Sequence, residues 1–167
     1  MSIAIKLLEI SEIPLITSAF INTVWKTPES RFQELFAVQE RRERVFLVAH
    51  SGNKIAGFVT VKWESDYPPF AEKAIPEIKD LRVLPVFRRR GVATALLDEA
   101  EKRIFARSPV AGIGVGLYAD YGPAQHMYIL RGYAPDGRGI SYKNQPVSPG
   151  HDVFVDDDLV LYFIKER

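Results

Sequence analysis

The sequence predicts a mixed α/β fold, a sheet with helices on its faces, as a single domain over residues 1–167. Three observations predict it. Short apolar runs bounded by turn residues cluster in the middle and at the end of the chain, as strands do. Gly91 to Ala106 is a long amphipathic stretch, with Val92, Ala95, Leu96, Ala100 and Ile104 on one side. Hydrophobic residues make up 47% and aromatics 11%, enough to bury a core.

The elements follow in order. Ile3 to Ile10 is a short apolar strand. Ser11 is a candidate N-cap, with Pro14 in the first turn of a helix whose Ile13, Ile16, Ala19, Phe20 and Val24 recur at helical spacing. Thr27 as N-cap and Pro28 at the first position open a second helix, with Phe32, Leu35, Phe36 and Val38 on its apolar side. Val45 to Ala49 and Ile55 to Trp63 form a hairpin around the turn His50–Lys54. Glu64 to Ala74 reads as an irregular loop and Glu77 to Val83 as a strand. After the Gly91 helix come a glycine-rich strand, Ala111 to Tyr118, and a helix from Pro123 to Leu130 closed by Gly132. Val153 to Val155 and Leu159 to Ile164 read as the last two strands. The order is β-α-α-β-β-β-α-β-α-β-β.

Composition excludes several classes of function. The chain has 22 Lys+Arg against 21 Asp+Glu, so no net field draws it to nucleic acid or an anionic membrane. It has no cysteine, which removes disulfides, thiolate zinc sites and thiol nucleophiles. No metal site is expected. His151 beside Asp156, Asp157 and Asp158 lacks partners of known metal geometry. Met1 to Lys6 lacks the pattern of a signal peptide, and no apolar run approaches the ~20 residues of a membrane-spanning helix. The expectation is a soluble cytoplasmic protein.

The informative stretch runs from Asp80 to Leu97. A strand enters Pro85, Arg88, Arg89 and Arg90 follow, and Gly91 starts the helix. The first N–H groups of a helix have no internal partner and sit at the positive end of its dipole. Gly91 and Ala93 let a ligand approach the backbone, Thr94 adds a hydroxyl, and the arginines add charge. This is the pattern of a phosphate cradle. The alternative is a solvated basic turn before an ordinary helix start.

Arg88-Arg89-Arg90-Gly91-Val92-Ala93 resembles the Gln/Arg-x-x-Gly-x-Gly/Ala signature of the GNAT N-acetyltransferase superfamily, in the same setting of strand, proline, aromatic, signature and helix. Pro123 to Tyr133 is similar to that family's late helix, Ala-x-x-x-Tyr-x-x-x-Gly-Phe/Tyr, and begins 35 residues after the first motif. The two motifs cover residues 77–133. The resemblance implies a mostly antiparallel sheet of about seven strands with about four helices, and acetyl-coenzyme A as co-substrate. It further implies that the backbone of Leu81, Arg82 and Val83 pairs with the pantetheine arm, and that Arg88, Arg89, Arg90, Gly91, Val92, Ala93 and Thr94 hold the diphosphate. Homodimers are common among such proteins, though no interface is legible here.

In that frame Tyr128 is the candidate general acid for the departing thiolate. A buried core tyrosine is the alternative. Glu77 is the candidate general base, against an exposed strand charge; Asp80 is second choice. A bulge near Leu81 would break the parity between Glu77 and Val83. Tyr121 stands where many relatives carry Asn. His126 falls on a different helical face from Tyr128 and reads as a surface or core histidine. Gly112, Gly114 and Gly116 lack the spacing of a dinucleotide fingerprint and instead suggest close approach of backbone or cofactor. The loop Trp63–Ala74 and the segment Ala134–Asp158 are candidates for acceptor selection, the three aspartates alternatively capping a turn.

The expected function is acetyl transfer from acetyl-coenzyme A to a primary amine, on a small molecule or a peptide, by direct attack. A non-catalytic acyl-coenzyme A sensor is the competing reading. Nucleic-acid binding is disfavoured by near-neutral charge and the lack of stacking aromatics among the arginines.

Overall fold

The computed structural model describes residues 2–167. Its strands are β1 (Ile3–Leu7), β2 (Arg44–Ser51), β3 (Lys54–Lys62), β4 (Glu77–Val83), β5 (Val110–Gly116), β6 (Ala134–Tyr142), β7 (Gln145–Pro146) and β8 (Leu159–Glu166). Its α-helices are α1 (Ile13–Phe20), α2 (Glu29–Glu40), α3 (Pro68–Glu72), α4 (Val92–Phe105) and α5 (Gly122–Leu130). This is the expected mixed α/β class, mostly antiparallel, with β4 and β5 paired in parallel. The chain forms two compact units. One runs up to Lys62 and resumes from Lys79 to Arg103; the other holds Trp63–Ile78 and Ile104–Arg167.

In the first unit β1, β2 and β3 form an antiparallel ladder, with Leu7 opposite Leu47 and Val48 opposite Phe58. Strand β2 is buried from Val45 to Ala49 because both of its faces are covered, hence its unbroken apolar run. On one side Phe20 of α1 and Phe32 of α2 meet Phe46 and Phe58, with Phe20–Phe58 and Phe46–Phe58 ring centroids 4.9 and 5.1 Å apart, edge to face. Each such pair adds about 1 kcal/mol beyond the area it buries. Helix α4 buries Val92, Leu96 and Ala100, one helical turn apart, as its spacing predicts.

Helix α2 starts one residue later than expected. Pro28 is extended (φ −76°, ψ 160°) and caps it, while the side chain of Thr27 turns inward and accepts a hydrogen bond from Arg82. Val24 lies beyond α1 and is exposed.

In the second unit β4 pairs with β5 only at Glu77 and Ile78, and β5 then pairs with β8, and β8 with β6. Gly112, Gly114 and Gly116 stand opposite Ile164, Tyr162 and Val160. A Cβ at Gly112 would collide with the ring of Phe70, and one at Gly116 with the ring of Tyr121. The three glycines thus make room for neighbouring side chains.

Two segments depart from expectation. The loop after β3 contains α3, begun by Pro68 and Pro69, which suit a first helical turn. Val153 to Val155 forms no strand; Phe154 and Val155 are exposed. Strand β6 replaces it, although its sequence is rich in glycine and polar residues. Its ladder with β8 is irregular between Pro135 and Ile140, where Gly137 and Gly139 take positive φ. Lys143 and Asn144, both at positive φ, turn β6 into β7 as a two-residue hairpin.

Candidate active site

The strand–turn–helix that carries the arginines lies in the first unit. Leu84 N–H donates to Ala56 of β3 at 2.9 Å, keeping the end of β4 against its neighbour. A short 3-10 turn, Pro85–Phe87, leads into Arg88, Arg89 and Arg90, all exposed. Arg89 (φ 57°) and Gly91 (φ 80°) both adopt left-handed backbone. A Cβ at Gly91 would meet nothing, so its conformation, not crowding, calls for glycine there. The first helical bond runs from Ala95 N–H to Gly91 O, 2.9 Å, which leaves the amides of Val92, Ala93 and Thr94 outside the ladder. Bare amides, the helix dipole and exposed guanidinium groups together favour an anion of phosphate type.

Two arginine side chains of this stretch, Arg82 and Arg88, have partners within the protein. Arg82 donates to Thr27 Oγ1 at 2.8 Å and lies 5.6 Å from the Trp25 ring and 5.7 Å from Phe58. Arg88 Nε donates to Val83 O at 3.2 Å and its guanidinium is 5.9 Å from Trp25. Arg82 therefore offers a ligand its backbone, not its charge.

Asp80 sits mid-strand at φ 55°, in left-handed backbone that a non-glycine residue rarely adopts. Its Oδ2 accepts from Thr60 Oγ1 at 3.0 Å and from Arg44 Nη1 at 3.2 Å. This clamp holds the strained residue and occupies one of its carboxylate oxygens.

Glu77 lies in the second unit and is buried, 2% exposed, not an exposed strand charge. Ser65 Oγ donates to its Oε2 at 2.5 Å, and the same Oγ accepts from Tyr67 N–H at 3.0 Å. Tyr67 is fixed in turn. Its ring stacks on Tyr162 at 3.7 Å and its hydroxyl donates to Asp136 Oδ2 at 2.8 Å. Burial, then the Glu77 carboxylate, push the Tyr162 phenol up. The loop expected to select an acceptor is thus bolted to the sheet by its own aromatics. Ser65 and the Arg44–Thr60 clamp were not legible locally; each acts on a residue distant in sequence.

Tyr128, on α5 in the second unit, is 5% exposed. Burial alone pushes its phenol up to about 12; no charge or hydrogen bond contributes. Its ring lies 6.0 Å from that of Tyr133, whose N–H donates to Tyr128 O at 3.0 Å and closes the helix. Gln125 Nε2 donates to Gly116 O at 2.8 Å, anchoring α5 to β5. Tyr121 lies over Gly116, and its hydroxyl donates to Asp157 Oδ1 at 2.8 Å; the Tyr118 hydroxyl donates to the same oxygen. Asp156 accepts from Tyr142 and from Asp158 N–H. The aspartates therefore close a turn and bind tyrosines. His126 is exposed, and no cluster of three or more metal-ligating side chains occurs among the described residues.

Of the candidate site residues, Leu81 to Thr94 form one continuous piece of the first unit, while Glu77 and Tyr128 belong to the second. Comparison with known proteins completes the picture. The chain is similar to solved structures over nearly its whole length. Against an N-acetyltransferase from Staphylococcus aureus it gives a TM-score of 0.71 at 14% identity, covering 99% of each chain. Against the Paia N-acetyltransferase of Thermoplasma acidophilum, solved with coenzyme A, it gives 0.67 at 16% identity and full coverage of both. Against the ribosomal-protein-S18-alanine N-acetyltransferase of Escherichia coli it gives 0.68 at 16% identity, covering 99% of this chain and 94% of the other. No curated protein sequence matches it. Likeness at such identities speaks for the fold alone. A family model does more: the acetyltransferase (GNAT) family matches residues 13–133, most of the chain and both motifs, and this protein therefore belongs to the GNAT acetyltransferase family.

Proposed function

We propose that this chain moves the acetyl group of acetyl-coenzyme A to a primary amine by direct attack. The observation that carries the proposal is the start of α4. There Arg89 and Gly91 are held at positive φ, three amides lie outside the helical ladder and exposed arginines flank them. These residues fit a diphosphate. A similar fold has been solved with coenzyme A, which supports the same ligand here.

Bound acetyl-coenzyme A supplies an activated thioester. The protein does the rest. Arg88 to Thr94 hold the diphosphate, and the backbone of Leu81, Arg82 and Val83 pairs with the pantetheine arm as an added strand. Amides near Val83 polarise the thioester carbonyl. Glu77 accepts the proton that the attacking ammonium must lose, leaving a neutral amine nucleophile. Tyr128 donates its proton, or a hydrogen bond, to the departing thiolate. Its raised pKa keeps it protonated at neutral pH, so the donor is always loaded. Positioning supplies much of the rate, and no covalent enzyme intermediate is required.

The test is release of free thiol from acetyl-coenzyme A over a panel of n-butylamine, spermidine, lysine and an alanine-initiated tripeptide. Amine-dependent release is expected. Tight coenzyme A binding by calorimetry with no release on any amine would favour a sensor, and absence of binding would remove the proposal altogether.

A further inference from the structure

We infer that Ser65 is a positioning residue, which aims the Glu77 carboxylate and holds it ready to accept the amine proton. The inference rests on Glu77 being the base. Both side chains are buried, Ser65 at 4% and Glu77 at 2% exposure. The Ser65 hydroxyl has one proton. Its oxygen accepts the Tyr67 N–H at 3.0 Å, and its proton is directed to Glu77 Oε2 at 2.5 Å. A hydroxyl that accepts from a fixed amide cannot rotate away without losing that bond. The amide is fixed because Tyr67 caps α3 and is stacked on Tyr162, with Phe70 edge-on to both rings at 5.0 and 5.3 Å. Phe70 in turn fills the space that Gly112, the ladder partner of Glu77, leaves open. The loop therefore forms a rigid jig built from Ser65, Tyr67 and Phe70 around one carboxylate. In the transfer step the ammonium proton passes to Glu77, while Ser65 keeps its own proton and only donates a hydrogen bond. A charge-assisted bond of this kind restricts the carboxylate to one rotamer, and catalytic geometry is sensitive to such restriction.

A double-mutant cycle of Ser65→Ala and Glu77→Gln, assayed with acetyl-coenzyme A and the fastest amine of the panel above, tests this. Ser65→Ala should lower kcat about tenfold with KM for acetyl-coenzyme A unchanged, and Glu77→Gln about a hundredfold. In the Gln background Ser65→Ala should have almost no further effect. A Ser65→Ala loss that is equally large in both backgrounds makes the role merely structural and overturns the inference. Full activity of Ser65→Ala beside an inactive Glu77→Gln overturns it while leaving Glu77 as base. Full activity of Glu77→Gln overturns the base assignment itself. A second readout needs no turnover. In protein labelled with side-chain 13C-glutamate, the Glu77 carboxyl resonance, identified by its loss in Glu77→Gln, should move on Ser65→Ala; an unmoved resonance counts against the hydrogen bond. If Ser65→Ala melts below the assay temperature, Ser65→Thr, which keeps the donor, should hold kcat near wild type. A folded Thr variant as slow as Glu77→Gln would overturn the inference.

Discussion

Tyr128 differs from the other shifted tyrosines in having one cause for its shift. Tyr67 and Tyr121 owe theirs to burial together with a carboxylate partner, whereas burial alone raises Tyr128 to about 12. Its neutral form is favoured in the fold. That preference stabilises the protein fully below the ordinary tyrosine pKa near 10 and is lost as pH rises through about 12. Tyr128→Phe removes the ionisable group and keeps the ring. By denaturant titration, the stability of the Phe variant relative to wild type should therefore improve by about 1 kcal/mol between pH 9 and pH 11. No relative change would mean that the phenol is solvated. In catalysis the same substitution should lower kcat about a hundredfold with coenzyme A affinity intact. Wild-type kcat should show no alkaline limb from this group below pH ~11. A loss under threefold, or a limb near pH ~9 that vanishes in the Phe variant, would exclude Tyr128 as the acid.

Strand β4 shows how an element can carry strain for a purpose. Asp80 takes a left-handed conformation that costs a non-glycine residue about 1 kcal/mol, and the Arg44–Thr60 clamp offsets it. Asp80→Asn keeps an acceptor and tolerates that backbone, so it should change KM for acetyl-coenzyme A little. Asp80→Ala loses the clamp and keeps the strain. It should destabilise the fold by about 2 kcal/mol and raise that KM about tenfold. Equal kinetics in the two variants would show that the clamp does not shape Leu81 to Val83. Likewise Gly112→Ala forces a methyl into the Phe70 ring and should cost about 2 kcal/mol or more in thermal or denaturant unfolding. Such elements mark the boundary of what the sequence reveals. The hairpin β2–β3, the phenylalanine-bearing helices and α4 were legible because their apolar spacing is local and strong. The start of α4 was legible because glycine and arginine there break that spacing. Strand β6 was not, because its glycines and polar residues are tolerated only in an irregular ladder beside β8. Val153 to Val155 misled for the opposite reason: β-branched composition without any partner strand. The burial of Glu77 and its bond to Ser65 depend on contacts across 12 residues of chain, which no local pattern records.

For the molecule as a whole, charge is the decisive quantity. With 22 basic and 21 acidic side chains, the protein has no net field to attract coenzyme A from a distance. Any electrostatic binding must come from the local group of Arg88, Arg89 and Arg90 at the helix start. Two consequences follow, and they can be separated. Ligand that binds only the folded state stabilises it by about 2.7 kcal/mol at a hundred times its dissociation constant. Coenzyme A should then raise the melting temperature by ~5–11 °C in a chain of this size. That alone does not locate the source of affinity. Salt does. Exposed guanidinium–phosphate contacts are screened within ~10 Å at 0.1 M salt and far more strongly at higher ionic strength, whereas strand-like backbone bonds to a pantetheine arm carry no net charge. Coenzyme A affinity should therefore fall about tenfold between 0.05 and 0.5 M salt, while the much weaker binding of pantetheine, which lacks the diphosphate, should stay flat. Replacing Arg89 and Arg90 together with alanine should flatten the coenzyme A curve toward that of pantetheine and leave the salt-free fold stability nearly unchanged, since both side chains are exposed. Equal salt slopes for the two ligands would place the affinity elsewhere than at the start of α4, and the cradle would then be an ordinary helix terminus beside a solvated basic turn.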